Sequence, residues 1–278
     1  MAPSGRVVTS PLIALGDRAA LRVPPFRSHV GRHVAVTVLL AVVFAAAARV
    51  IELRPLELVR DAGNIGQFLG GYLHPSLAHV GEYAWQCVVT VCIALWGTLL
   101  AALISIPLGL LGARNLAPHP VVYLAARRVM DLLRAVNEFV FALMFVTAVG
   151  LGPFAGMLAL GLHTGGVLGK LLSETVESID PGQVEGVAAA GATRLQVIGF
   201  GVVPQVLPNF ISYLLLRFES DIRSASVIGM VGGGGIGFYL WDTIRSFNDR
   251  EAATVILLIV AMVMCVDVVS SRIRRLTI

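Results

Sequence analysis

The sequence predicts an all-α, polytopic membrane protein. Hydrophobic residues make up 56% of its 278 positions and charged residues 14%, where a soluble domain carries about 25% charged residues. Mean hydropathy is +0.83. The apolar residues are gathered into six runs, each near the roughly 20 residues that a helix needs to cross a bilayer. This excludes a water-soluble enzyme and leaves an integral membrane protein of about six helices.

The first run comes after residues 1–33, which hold five arginines and Asp17. A charged stretch of that length is long for a secretory leader, and the chain beyond it is membrane-bound. Residues 1–33 therefore read as a cytoplasmic N-terminal extension and 34–52 as an uncleaved first span. Residues 53–83 carry mixed charge, Gly70, Gly71 and Pro75, and read as an external amphipathic connector able to hold a short surface helix. Further spans are expected at 84–112, 129–149, 154–173, 204–229 and 252–271. The chain thus divides into an extension (1–33), a first span with its connector (34–83) and a membrane core (84–272). The sequence shows no internal repeat of the kind found in many secondary transporters.

Lys and Arg concentrate in cytoplasmic loops and so orient the spans. With the N-terminus inside, the inner segments hold thirteen Arg or Lys residues. The outer ones hold five: Arg49, Arg54, Arg60, Arg245 and Arg250. Both termini and the loop around Glu185 are then cytoplasmic, and residues 150–153 form an external turn. The same placement explains the net charge of +4 with no nucleic-acid partner.

Charges inside spans are costly and usually face a bundle interior or a wet path. Asp131, Arg134 and Glu138 are spaced to lie along one face of the third span, with Arg134 and Glu138 at i,i+4. In the fifth span the spacing pairs Arg217 with Asp221 and Glu219 with Arg223. Such pairs either bind helices together or line a passage favouring anions. Residues 231–237, VGGGGIG, cannot hold a regular helix cheaply. They read as a close-packed re-entrant turn with Gly233, Gly234 and Gly235 as part of a gate, or as an ordinary outer loop.

Several motifs fail on inspection. Residues 164–171, TGGVLGKL, lack the first glycine and the hydroxyl residue of a phosphate-binding loop, so no ATP site is visible in this chain. His29 and His33 lack an acidic partner, and Cys87, Cys92 and Cys265 have no metal-ligand spacing. His163 reads as a helix-packing residue. No catalytic constellation and no metal site emerge, and the chain reads as a non-enzyme.

Residues 180–198 form a polar loop of another kind. Pro181 behind Asp180 starts a short helix, and Ala188, Ala189, Ala190 and Gly191 give it a shallow face rimmed by Glu185 and Arg194. Small residues admit the close approach of another surface, so this is a docking helix for a partner.

The loop resembles the permease subunits of type I ABC importers, whose pattern is Glu-Ala-Ala, three residues, Gly, nine residues, Ile-x-Leu-Pro. Glu185, Gly191 and Pro204 match it; Gly186, Val187 and Gly201 depart from it, and Val203 stands for Leu. Residues 134–174 and 221–237 (DIRSASVIGMVGGGGIG) look like the phosphonate permease group, and the resemblance covers about 84–272. It implies a homodimeric permease in a bacterial plasma membrane, in contact with membrane lipid. A cytoplasmic ATPase dimer carrying ATP and Mg, and an extracytoplasmic binding protein, would be its partners. The loop helix, between the fourth and fifth spans, would be the coupling helix, with Glu185, Ala189, Gly191 and Arg194 facing the ATPase. The substrate implied is phosphonate or a related oxyanion such as phosphate or phosphite, with Arg134, Glu138 and Arg223 along its path. Rival readings are a permease of this architecture for methionine or another small metabolite, and an ion-coupled secondary transporter using Asp221, Glu138 or His163.

Overall fold

The computed structural model describes residues 30–277. The N-terminal extension, except for its last four residues, lies outside the described residues. Among these the chain is helical, without strands. The described residues divide into two compact units, 30–62 and 63–277. The first unit holds α1 (Val30–Val50) and the short α2 (Pro55–Arg60). The side chains of α1 are exposed almost throughout, as suits a helix whose solvent is lipid.

The second unit opens with α3 (Ala62–Tyr72), so the connector holds two short helices where one was expected. Then come α4 (Val80–Leu111), α5 (Pro120–Ala135), α6 (Glu138–Val149) and α7 (Pro153–Glu177). The polar loop forms α8 (Pro181–Ala189) and α9 (Arg194–Val197). The chain ends in α10 (Val203–Ile228), α11 (Ile236–Arg245) and α12 (Asp249–Thr277). A wider π-helical turn at Ile198–Val202 leads into α10, and after α10 the segment Gly229–Gly233 is broken by a kink at Gly232. Five helical stretches are long and apolar enough to cross a membrane, and the bent pair α5–α6 makes a sixth.

That pair corrects the expected third span. Residues 129–149 are not one helix: α5 and α6 meet at 87°, with Asn137 capping α6 by accepting the Phe139 N–H at 2.9 Å. The break moves Glu138 off the face that carries Asp131 and Arg134. Glu138 instead accepts a hydrogen bond from Ser224 at 2.8 Å, and no Arg134–Glu138 pair forms.

The centre of the bundle is the parallel pair α4 and α7. Small residues recur every fourth position on both: Gly97, Ala101, Ser105 and Gly109 on α4, Gly161, Gly165 and Gly169 on α7. Each stripe receives knobs from the other helix. Leu160 sits over Gly97 and Leu172 over Gly109, while Leu100 sits over Gly161 and Ile104 over Gly165. In lipid, helices associate through such packing because apolar tails give no hydrophobic drive. The glycines of the rejected phosphate-loop motif thus have a packing role. Gly166, on an adjacent face, lets α5 approach; a Cβ there would lie 2.6 Å from Leu133 Cβ.

A polar hub fixes α10 against this pair. Asp221 is 1% exposed and accepts hydrogen bonds from Thr98 of α4 at 2.9 Å and Thr164 of α7 at 2.8 Å. Arg217, one turn earlier on α10, lies 3.7 Å from the same carboxylate and donates to Thr164 at 3.3 Å. The Arg217–Asp221 spacing read from sequence is therefore a contact, but the hydroxyls from two other helices complete it.

Gly161→Leu should disrupt this centre. A Cβ at Gly161 already lies 2.5 Å from Leu100 Cδ2, and overpacking costs about 1–3 kcal/mol. The measurement is the thermal midpoint of detergent-purified protein. Gly186→Leu, at a site with no neighbour within 4 Å, should leave the midpoint unchanged.

Candidate functional site

Three regions carry the candidate functional residues. The first is the end of the bundle where α4 and α7 finish and α10 begins. Asp180 caps α8 as expected, accepting the Gly182 N–H at 2.9 Å, and its own N–H donates to Gln205 Oε1 at 3.0 Å. Gly201 packs against α8: a Cβ there would meet Val184 Cα at 3.3 Å. A larger residue at that position would push α8 away from α10. Glu185 and Ala189 are exposed on α8.

Gly191 is exposed but has a different reason to be glycine. Its φ is +82°, a region in which L side chains are strained, so it turns the chain from α8 into α9. Arg194 opens α9 and donates through Nη2 to the Leu116 carbonyl, tying α9 to the α4–α5 loop. Thr193 and Gln196 close a capping box on the same helix. Sequence reasoning missed two large apolar residues beside these, Leu195 at 81% and Phe200 at 74% exposure. Their signal was their bulk in a segment that follows the polar α8, and each leaves a large apolar side chain uncovered close to it in sequence.

The second region is a hollow of about 300 Å³ lined by Asn137, Glu138, Phe139, Arg223, Ser224, Val227 and Ile228. It contains two of the three residues expected along a path, Glu138 and Arg223. Arg134 is exposed near the end of α5 and does not line it. His163 fixes the hollow's wall: its Nδ1–H donates to the Val136 carbonyl at 2.8 Å, and Nε2 lies 3.4 Å from Glu138 Oε2. It thereby staples the α5–α6 break to α7. Arg223 lies 3.5 Å from Glu219 and 3.5 Å from Asp267 of α12, and Arg274 lies 3.5 Å from Glu219. The expected Glu219–Arg223 pair is thus half of a four-charge network joining α10 to α12.

The third region is the glycine segment between α10 and α11. Gly234 and Gly235 have φ of +79° and +78°. Gly233 lies against Ile228 and Gly156, and Gly234 against Pro153 at the start of α7. The Gly152 N–H donates to the Gly232 carbonyl at 2.8 Å, and the Ile236 N–H donates to Thr90 Oγ1 at 2.9 Å. The segment is a packed turn bonded to α4 and to the start of α7, not a loose loop. Beside it, Tyr239 donates to Glu82 at 2.8 Å, and that carboxylate holds the phenol's proton, raising its pKa. Tyr83 and Glu251 make a matching bond at 2.9 Å between α4 and α12.

Gly234→Ala should be destabilising on two counts. It forces a side chain to φ +79° and ψ 178°, a region essentially confined to glycine, at about 1–3 kcal/mol, and places a Cβ 2.8 Å from Pro153 N. Loss of monodisperse protein on size-exclusion chromatography, with Gly150→Ala as a mild comparison where only φ is strained, would show it.

With this geometry in view, the comparisons with known proteins are consistent with one another. The chain is 37% identical over 240 residues to the phosphite transport system permease protein of Stutzerimonas stutzeri, covering 86% of this chain and 87% of that one. It is 36% identical over 230 residues to the phosphate-import permease protein of Mycolicibacterium smegmatis, covering 83% of this chain and 43% of that one. Its fold matches a chain of the inward-facing MetNI methionine ABC transporter with a TM-score of 0.62 at 18% identity, covering 72% of this chain and 96% of that one. Residues 105–277 match the profile of the binding-protein-dependent transport system inner membrane component, and the chain belongs to that family.

Proposed function

We propose that this chain is the permease of an ATP-driven importer for phosphonate or a related oxyanion, phosphate or phosphite. The observation that carries this is the likeness, over more than four-fifths of the chain, to permeases named for phosphite and phosphate. The likeness to the methionine transporter is one of fold at 18% identity and does not favour methionine. An ion-coupled transporter is disfavoured by Asp221, whose carboxylate is committed to Thr98, Thr164 and Arg217.

In this reading two copies pair around the pore, and α8 is the coupling helix, docked on a cytoplasmic ATPase dimer that binds ATP and Mg. Glu185, Ala189, Leu195 and Phe200 form its exposed contact, while Gly191 and Arg194 shape and anchor the turn. A binding protein delivers substrate at the opposite end, where the packed segment Gly233, Gly234 and Gly235 is the gate. Arg223 supplies a guanidinium that can pair bidentately with phosphoryl oxygens, and Glu138 sets the charge of the same hollow. Arg114, Arg127, Arg128 and Arg194 all gather at the α8 end, which favours that end, and both termini, being cytoplasmic.

The test is reconstitution in liposomes with a cognate ATPase and binding protein. ATP-dependent uptake should respond to phosphite, phosphate or a phosphonate and not to methionine; the reverse would overturn the reading. Cysteine labelling should find position 190 inside and 245 outside. Ala189→Trp, on an exposed helical site, should keep the fold yet lower uptake at least tenfold by blocking the ATPase; normal uptake would remove α8 from that interface.

Arg223→Gln should reduce uptake and also leave Asp267 unpaired, a half-exposed contact whose loss costs about 1 kcal/mol or less. The double variant Arg223→Gln with Asp267→Asn separates the effects. Recovered expression without recovered uptake assigns Arg223 to the substrate; recovery of both assigns it to helix packing.

A further inference from the structure

A second basic site lies at the α8 end, outside the hollow on the proposed path. It is an open polar cavity of about 640 Å³ lined by Arg114, Asn115, Tyr123, Arg127 and Glu177. Both arginines stack on one ring, with Arg114 Cζ 5.6 Å and Arg127 Cζ 5.3 Å from the Tyr123 centroid. Two cations on one ring repel each other, and the one carboxylate beside them, Glu177, offsets only one of the two charges.

Glu177 is already engaged. Its Oε1 accepts the Arg114 backbone N–H at 2.8 Å and lies 2.8 Å from Arg127 Nη2. Arg127 is otherwise spent on the Gly112 carbonyl through Nε at 2.8 Å. Its Nη2 is buried against the Glu177 carboxylate. The Arg114 guanidinium has no carboxylate within ion-pair distance among the described residues. One full positive charge, that of Arg114, therefore faces the cavity.

The wall is rigid, because Asn115 Nδ2 donates to the Val176 carbonyl at 2.7 Å. The cavity also opens at the level of exposed apolar residues. Leu111 ends α4 at 39% exposure, and Val121 and Leu124 of α5 are 66% and 53% exposed. A helix that mixes exposed leucine and valine with Arg127 and Arg128 suits a membrane–water interface.

We propose that this cavity binds a phosphoryl oxyanion, held by the Arg114 fork beside the charge of Arg127. The group would be either the headgroup of an anionic lipid reaching in from the bilayer or a free phosphate from the aqueous side. Guanidinium forks match phosphoryl oxygens in pairs, and the Tyr123 ring positions both. The site is independent of which substrate the pore carries.

The experiment uses full-length protein in detergent, with native mass spectrometry against phosphatidylglycerol and phosphatidylcholine. Parallel samples contain inorganic phosphate. Wild type should retain phosphatidylglycerol selectively or gain thermal stability with phosphate. Arg114→Gln, an exposed position, should weaken that binding about tenfold, the loss of one charge-assisted contact. Arg114→Lys, which keeps the charge and loses the fork, should fall between and keeps the test valid if the glutamine variant folds poorly. Arg245→Gln at the far end should change nothing. Phosphatidylglycerol retention that phosphate cannot displace identifies the lipid; displacement by phosphate identifies the free anion. Equal binding of both ligands by wild type and Arg114→Gln overturns the proposal. So does unchanged ligand binding with loss of the co-purifying ATPase, which would make Arg114 a protein contact.

Discussion

The close approach of α4 and α7 is the constraint on which the rest of this bundle depends. Two parallel helices meet along stripes of glycine, alanine and serine, with leucine and isoleucine side chains seated over the bare positions. Only at that separation can Thr98 of α4 and Thr164 of α7 reach the same carboxylate of Asp221. The position of α10 is therefore set by the spacing of the other two. A carboxylate that is 1% exposed and fully bonded favours a unique register, since sliding α10 by one turn would leave a charge buried without partners.

Much of this was legible in the sequence. Hydropathy located the spans because a bilayer demands length and apolarity from each segment separately. Asp180 and Pro181 located α8 because capping is a local matter of one side chain and the next two N–H groups. The bend between α5 and α6 was not legible in hydropathy, because both halves are apolar enough to be one span. Its signal was Asn137, a capping residue in the middle of an expected helix. The small-residue stripes stand in the sequence as a four-residue period, and Gly165 and Gly169 of that period fall inside the segment that mimics a phosphate loop.

The candidate site shows the same division. Spacing along one helix found Arg217–Asp221 and Glu219–Arg223, since i,i+4 neighbours meet whatever the tertiary structure. It could not find Thr98, Thr164, Ser224, His163, Asp267 or Arg274, which arrive from other helices. Spacing also misled at Arg134 and Glu138, because the rule holds only while the helix continues. Gly191 carries a backbone reason that spacing could not show: its positive φ makes it the turn out of α8.

A π-helical turn at one end and a glycine kink at the other give α10 a particular mechanical character. Between them α10 is 26 residues long, about 39 Å of helix, with Pro208 in its early turns and the Asp221 hub in its later half. π-Helical turns recur at functional sites, and both ends of α10 contain glycine. Resistance to bending is therefore low at the two ends and at Pro208, and highest around the Asp221 hub. One end meets α8 through Gly201 and Val184, and the other runs into Gly233 and Gly234, packed on Gly156 and Pro153. A displacement of α8 would thus reach the glycine segment as a motion of one rod about the Asp221 hub. Thr98 and Thr164 fix where that pivot lies.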